Sequence, residues 1–367
     1  MQAVRFLMLA IPLALAGCNN QPKSNAIPIG HVEPNASETE CRALSLVLET
    51  LPSEQRPLER EIQIRHAAGS AKPEEAAAQA VRLIALNRNH IVIAGDKART
   101  AEQVALAAQG DPALLLGTAG WSGENPKSNY FTLGLSPAEQ GRSLALFQEP
   151  FLHRPSAKAL ICRAGSSRFQ DVAADAYRRE AQRLGAEVVD IRLDEKRTLT
   201  RLLETGKGST TLLLAGPPVE VAAVWETLSK VMTFEQTAFV GEEGEMAELR
   251  STRPLPEGLS YATAYFPGQG EERLTNFAKA YESKHGTPAD AQAIVVADAL
   301  EVALEAIRRA KSLDPVKLRE ELTKADASFD TLSGSLRFNA THHALRPIYI
   351  AKLTNGTPQF AKQLDPK

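Results

Sequence analysis

Short, almost wholly apolar segments recur along this chain and alternate with segments of helical periodicity. They lie at residues 91–93, 113–116, 159–162, 211–215 and 238–240, and a glycine follows each within a few positions. Strands that are apolar on both faces are typical of parallel sheets covered by helices on each side. We therefore expect an α/β protein built from doubly wound parallel sheets.

The alternation falls into two runs, separated by the polar stretch 129–142, which contains Pro137. This arrangement predicts two doubly wound lobes joined by a multi-strand hinge, and the chain of 367 residues is long enough for both. The predicted division assigns 1–18 to a signal peptide, 19–25 to a tether, 26–143 to lobe 1 with 268–333, and 144–267 to lobe 2 with 334–367.

The amino-terminal residues indicate export. Arg5 precedes the apolar run 6–15, which is too short for a permanent membrane span but suits a signal peptide. The following letters LAGC resemble a bacterial lipobox, which implies lipidation of Cys18 and an anchor on the membrane. An ordinary signal peptide cut near the same place is the alternative. Asn19, which is not aspartate, favours the outer membrane in a cell that has one.

Composition excludes several other classes of protein. The net charge is −2 with acids and bases mixed, so no basic block indicates nucleic acid. Beyond the signal, no apolar run is long enough to span a bilayer. Cys41 and Cys162 fall in different predicted lobes, so we expect two buried thiols rather than a disulfide. With so few ligands and no close spacing, neither a metal site nor a cofactor is expected.

No catalytic signature fits its context. Residues 206–210 (GKGST) precede a strand, whereas a phosphate-binding loop follows one, and 268–270 fails the dinucleotide pattern. The sequence has no G-x-S-x-G elbow and no H-E-x-x-H helix. Glu242, Glu243 and Glu245 could form paired carboxylates, but no candidate nucleophile accompanies them, and a solvated acidic loop is the alternative. We therefore predict that the chain is not an enzyme.

Loops at the carboxyl ends of the predicted strands remain as the candidate site. In open α/β sheets ligands bind at this edge, where helix N-termini expose backbone N–H groups. Two lobes that each present such an edge form a cleft, which closes by a hinge motion. The loops concerned are 95–100, 117–121, 163–169 and 241–245.

Four segments resemble the leucine/isoleucine/valine-binding proteins of ABC importers, which have the type I periplasmic binding fold. They are 129–141 (NYFTLGLSPAEQG), 277–288 (FAKAYESKHGTP), 297–299 (ADA) and 329–339 (FDTLSGSLRFN). The resemblance covers most of the mature chain and is weakest before residue 60. It implies a solute-binding protein that captures a small polar solute between its lobes and delivers it to a membrane permease.

The resemblance also implies positions for ligand contacts. Thr118, Ala119 and Gly120 match the family's Ser-Ala-Thr loop, without its final hydroxyl. Phe169 aligns with an aromatic residue that packs on the ligand from the second lobe. Glu243 aligns with the acid that pairs with a ligand amine.

Two parts of the family's amino-acid clamp are missing. No serine occurs in 95–100, and His31-Val32-Glu33-Pro34 replaces the family's P-L-T-G loop. Lys97 or Arg99 is the candidate to hold a ligand carboxylate instead, because an arginine fork suits that geometry. The alternative is that both are surface charges.

Three functions fit this reading of the sequence. The first is delivery of an amino acid or related amide to an ABC permease. The second is a sensor or regulatory lipoprotein on the same scaffold, and the third is a structural lipoprotein that binds envelope proteins. Neighbouring permease and ATPase genes favour the first, whereas an adjacent sensor kinase or cell-wall enzyme favours the second.

Overall fold

The computed structural model describes residues 25–33, 38–70, 72–120, 129–165, 167–193, 202, 204–252 and 255–365. The predicted signal peptide with Cys18, and the tether up to residue 24, lie outside these ranges. Two loop residues of interest, Trp121 and Ser166, also lie outside them.

The first lobe contains a five-stranded parallel sheet in the order β2-β1-β3-β4-β5. Strands β1, β3, β4 and β5 are short and buried, as their apolar composition predicts, whereas β2 at the edge of the sheet is only partly buried. In chain order its elements are β1 (Ile27–Val32), α1 (Thr39–Thr50), β2 (Ile62–Ala67), α2 (Pro73–Ala85), β3 (Ile91–Ile93), α3 (Ala98–Ala107), β4 (Leu114–Gly117) and β5 (Tyr130–Thr132), with short 3-10 turns at Ser53–Gln55 and Pro57–Glu59.

The second lobe repeats the same strand order, as β7-β6-β8-β9-β10, and two antiparallel strands from the end of the chain extend this sheet beside β10. Its elements are α4 (Pro137–Phe147), α5 (Glu149–Leu152), β6 (Lys158–Ala164), α6 (Arg168–Arg183), β7 (Glu187–Leu193), β8 (Thr211–Ala215), α7 (Pro218–Leu228), β9 (Gln236–Val240), α8 (Glu245–Thr252) and β10 (Ser260–Thr263).

Later elements complete both lobes. Three helices return to lobe 1, where the longest packs against α1 and β3. They and the last strands are α9 (Glu272–His285), α10 (Ala291–Ala310), α11 (Pro315–Thr323), β11 (Phe329–Thr331), β12 (Gly334–Phe338), β13 (Ala344–Leu345), β14 (Ile348–Thr354) and β15 (Thr357–Leu364). The prediction of two doubly wound α/β lobes is confirmed.

The chain crosses between the lobes in three places: 133–136, 264–271 and 346–347. Helix α4 packs against α6, β9, β10 and β14, which all belong to lobe 2. At Gly141 this packing is so close that a Cβ would lie 1.9 Å from the carbonyl oxygen of Ala173. The predicted division between residues 143 and 144 therefore falls inside a helix of lobe 2, and the first crossing precedes Pro137.

A buried ion pair joins two of these crossings to lobe 1. Nη2 of Arg346 donates to Oδ2 of Asp298 over 2.7 Å, and the two side chains are 1% and 0% exposed. Nη1 of Arg346 donates to the carbonyl oxygen of Leu133 over 3.1 Å. Ser333 donates its hydroxyl to the same Asp298 oxygen over 2.6 Å. The guanidinium thus contacts the first crossing, helix α10 and the segment after β11.

Both remaining cysteines are thiols, in different lobes. Cys162 is buried in β6, as predicted, whereas Cys41 on α1 is only partly buried. Among the helices of the described ranges, none has the length and apolar character needed to cross a bilayer.

Replacing Asp298 by asparagine is expected to lower the free energy of unfolding by about 3–5 kcal/mol, because Arg346 would keep its charge in the interior without a carboxylate. Chemical denaturation checks this. The control is Glu235→Ala, which removes a pair with Arg154 in which both side chains are 47% exposed and should cost about 0–1 kcal/mol. Equal losses in the two variants would contradict the role assigned to Asp298.

Candidate functional site

The predicted ligand loop of lobe 1 is buried against the hinge. Thr118 donates its hydroxyl to Oε1 of Glu40 over 3.2 Å, and the N–H of Ala119 donates to the carbonyl oxygen of Gly95 over 2.9 Å. A Cβ on Gly120 would lie 1.9 Å from the carbonyl oxygen of Leu135. Glycine is therefore required at position 120, because only the bare backbone fits beside the first crossing.

Phe169, at the start of α6, approaches this loop from lobe 2. Its ring is 2% exposed, and its Cε2 atom would lie 3.1 Å from a Cβ on Gly120. Gly120 and Phe169, which are predicted to contact a ligand from opposite lobes, thus lie next to each other. In this arrangement the aromatic ring fills the space between the two loops.

The lobes also meet through Glu242. Its Oε2 accepts a hydrogen bond of 2.7 Å from the N–H of Ala98, at the amino terminus of α3. A carboxylate is favoured there by the helix dipole. Burial raises the pKa of Glu242, and the bond from Ala98 and the charge of Lys97 oppose that rise. Lys97 and Arg99 flank this contact and are exposed.

Glu243 lies beyond this contact, on the hinge side of the cleft. Its carboxylate accepts bonds from the N–H of Ala264 over 2.7 Å and from the hydroxyl of Thr263 over 3.0 Å, both at the end of β10. Burial raises its pKa, while these two donors and the charge of Arg346 oppose the rise. The carboxylate is thus held by lobe 2, above the hinge network, and does not share a cavity with Phe169.

Glu243 lines a cavity of about 490 Å³. One wall is formed by the carboxyl ends of β9 and β10 in lobe 2, and the other by the start of α10 in lobe 1. The lining includes three carboxylates, several aromatic rings and one guanidinium: Glu242, Glu243, Asp290, Phe239, Tyr261, Tyr265, Phe266 and Arg250. Of the two alternatives for 242–245, the solvated loop does not hold, because the three glutamates face the other lobe or the interior.

Asp290 was not recognised in the sequence as a site residue. It caps α10, where its Oδ1 accepts from the N–H of Ala293 over 2.8 Å. Burial raises its pKa, and that bond opposes the rise. A cap before a long apolar helix was readable from the sequence, but its position opposite Glu243 depends on how the lobes pack.

Gln292, the second residue of α10, links the cavity to the predicted ligand loop at Thr118. It donates from Nε2 to the hydroxyl oxygen of Thr118 over 3.0 Å and to the carboxylate of Glu40. The predicted residues are thus divided between two neighbouring places. Thr118, Ala119, Gly120 and Phe169 form a closed contact, and Glu243 lines the cavity beside it.

A larger cavity, of about 760 Å³, lies within lobe 1 between α1, α9 and α10. Most of its lining comes from the second half of α1 and from α9 and α10. The cavity at Glu243 is the better candidate site, since both lobes contribute to its walls.

This architecture, with two lobes that repeat one strand order, three crossings and a cavity between the lobes, defines a class of hinged binding proteins. A family described as periplasmic binding protein matches residues 41–358, so the chain belongs to the periplasmic binding protein family. The resemblance predicted from the sequence is confirmed. The family and its solved structures are solute-binding proteins, which also confirms the prediction of a non-enzyme. No curated protein matches the chain.

Solved structures share the fold at low sequence identity. A substrate-binding protein from Desulfitobacterium hafniense in complex with leucine has a TM-score of 0.76 at 18% identity, over 92% of this chain and 100% of that one. A leucine-binding protein from Thermotoga maritima has a TM-score of 0.73 at 17% identity, over 93% and 99%. A solute-binding protein from Rhodopseudomonas palustris in complex with 3,4-dihydroxybenzoic acid has a TM-score of 0.72 at 14% identity, over 93% and 98%.

Stability near the cleft is expected to depend on the protonation of Glu245, at the start of α8. Burial raises its pKa from 4.5 to about 7, although its Oε2 accepts from the N–H of Glu242 and from Nε2 of Gln170. Because the folded state binds this proton more tightly, the stabilisation is complete below about pH 4.5 and is lost as the pH rises through about 7.

The measurement is the denaturation midpoint at about pH 5 and about pH 8. Glu245→Gln should lose less stability between the two pH values than the unchanged protein does, while Glu320→Gln, an exposed position on α11, should behave like the unchanged protein. The same pH dependence in all three proteins would show that Glu245 does not titrate in this range.

Proposed function

We propose that this protein is the solute-binding component of an ABC importer, held at the cell envelope by lipid on Cys18. Its ligand is a small polar solute with an amino group, an amino acid or a related amide. The solute enters the cavity between the end of β10 and the start of α10, and the closed form docks on the permease. The observation that carries this proposal is the set of three carboxylates around one cavity between the lobes.

The electrostatics of the cavity favour a cation. Burial raises the pKa of Glu242, of Glu243 and of Asp290, which means that each charged form is poorly solvated. An ammonium group between Glu243 and Asp290 would replace the lost hydration with charge-assisted hydrogen bonds. Glu243 accepts bonds from two protein donors, and a carboxylate has about four acceptor sites, so it can accept further bonds from a ligand.

The other walls of the cavity define the rest of the ligand. The faces of Tyr261 and Tyr265 offer apolar surface and also attract a cation. Arg250 supplies one guanidinium, which suits a ligand carboxylate. An amine, an apolar portion and a carboxyl or amide group together describe an amino-acid-like solute.

Solved relatives bind different ligands, namely leucine in one complex and 3,4-dihydroxybenzoic acid in another. An aromatic acid presents a negative charge without an amine. Three carboxylates against one guanidinium would repel such a ligand. The lining therefore supports the amino-acid class over the aromatic acids.

The direct contacts between the lobes favour a second candidate. Phe169 packs on Gly120, and Glu242 binds the N–H of Ala98. A protein that closes by its own contacts needs no solute to present its closed form to a partner. A sensor or envelope-binding lipoprotein on this fold is therefore the alternative, and the genes beside this one distinguish it from an importer component.

A thermal-shift screen of amino acids, amides, small peptides and polyamines tests solute capture. A ligand at a hundred times its dissociation constant stabilises the folded state by about 2.7 kcal/mol, which raises the midpoint by several degrees. Glu243→Gln should abolish the shift, because the ammonium loses its counter-charge. Glu248→Gln is the matched control and should keep the shift. A ligand that stabilises Glu243→Gln equally would contradict the assignment of Glu243.

Metabolic labelling with a fatty-acid analogue tests the anchor. Cys18→Ser should lose the label and leave the membrane fraction, because each buried methylene of an acyl chain contributes about 0.8 kcal/mol to membrane binding. Cys162→Ser should keep the label, since that thiol is buried in lobe 2. Label that persists in Cys18→Ser would contradict a lipobox. In a cell with two membranes, the labelled protein is expected in the outer one.

A further inference from the structure

Three side chains with metal-binding atoms converge at the carboxyl edge of the first sheet. His31 and His66 are register partners on the parallel strands β1 and β2, so their rings lie on the same face of the sheet. Cys41 reaches them from the first turn of α1. His31 is wholly buried, whereas His66 and Cys41 are partly exposed, which leaves a path for an ion from solvent.

The distances among the three atoms match those around one tetrahedral ion. Nδ1 of His31 lies 3.1 Å from Nδ1 of His66, and Sγ of Cys41 lies 3.4 Å and 4.0 Å from these two nitrogens. At its usual bond lengths, tetrahedral zinc places two nitrogens about 3.3 Å apart and a nitrogen and a sulfur about 3.6 Å apart.

Hydrogen bonding alone does not account for this convergence. Nδ1 of His66 has three neighbours, because Oε1 of Glu33 also lies 3.3 Å away. A ring nitrogen offers one hydrogen or one lone pair, so it can satisfy one of these contacts well. A cation at the centre would satisfy the two nitrogens and the sulfur together.

The second ring nitrogen of His31, Nε2, contacts a carboxylate, as the second nitrogen of a metal-binding histidine often does. Nε2 lies 2.7 Å from Oε2 of Glu40, and the two side chains are 0% and 2% exposed. Since a carboxylate accepts, Nε2 carries the hydrogen, which leaves Nδ1 as the ring nitrogen that can bind an ion beside Cys41 and His66. A carboxylate that orients a ligating histidine in this way is a recurrent feature of zinc sites.

We propose that Nδ1 of His31, Nδ1 of His66 and Sγ of Cys41 bind one Zn²⁺ ion. Two imidazoles and one thiolate are the donor set that suits zinc, and the thiol releases its proton on binding. The fourth position is open to water or to the carboxylate of Glu33. The expectation that the chain has no metal site followed from spacing, and it missed this cluster because residues 31, 41 and 66 come together only in the folded sheet.

The site is connected to the cleft through Glu40. Its other oxygen accepts from the hydroxyl of Thr118 and from Nε2 of Gln292. An ion that holds His31 in place therefore also fixes the carboxylate that positions these two residues. The proposal does not depend on which solute the protein carries, or on whether it carries one.

Cobalt substitution tests the site without any solute. The full chain, treated with a chelator and then titrated with Co²⁺, should bind one equivalent and show thiolate-to-cobalt absorption in the near ultraviolet, and Zn²⁺ should abolish that band. Cys41→Ser should lose the band. Cys162→Ser, the control for the second thiol, should keep it.

His66→Asn is a second variant that removes one of the three proposed ligands. This variant should bind zinc at least about tenfold more weakly than the unchanged protein does. Circular dichroism confirms that both variants are folded. The proposal is overturned if the unchanged protein binds no Co²⁺ saturably, or if folded Cys41→Ser keeps the band.

Discussion

The two-lobed arrangement depends most on the buried ion pair between the guanidinium of Arg346 and the carboxylate of Asp298. Arg346 is 1% exposed and binds Asp298 of the long helix α10, the hydroxyl of Ser333 and the carbonyl oxygen of Leu133. These groups belong to lobe 1 and to the first crossing, whereas Arg346 itself begins the third crossing. A buried charge tolerates little displacement from its partner. The network therefore ties the first and third crossings to helix α10 of lobe 1.

The cavity at Glu243 adjoins this hinge, because residues of the second crossing form part of its lining. Arg346 lowers the pKa of Glu243 against the larger effect of burial, so hinge and cavity share one electrostatic environment. Asp290 stands on the opposite wall, at the start of the helix that also carries Asp298. A solute that bridges Glu243 and Asp290 would therefore join lobe 2 to the element that anchors lobe 1. In the proposed function, binding of a solute would be coupled to the relative position of the lobes through these residues.

Much of the fold was predictable because buried parallel strands are apolar on both faces. Strand β15 was not predicted, since most of its residues are exposed and polar and give no hydrophobic pattern. The acidic residues 242–245 left a solvated loop open as an alternative, because the burial of Glu242, Glu243 and Glu245 comes from neighbouring segments. Phe169 and Glu243 were placed by resemblance, but their separation into a closed contact and a cavity depends on lobe packing. Lobe packing also hid Asp290, whereas the cluster of His31, Cys41 and His66 was hidden because its members are distant in sequence and meet only in the folded sheet of lobe 1.

Native mass spectrometry of the full chain, purified from its own cells under gentle conditions, tests directly whether the protein captures a solute at Glu243. We expect one small amine-containing molecule per chain, which is released on collisional activation and is absent from Glu243→Gln but present in Glu248→Gln. A chain that carries no such molecule, gains none from a panel of amino acids and amides, and instead retains an envelope protein would contradict solute capture.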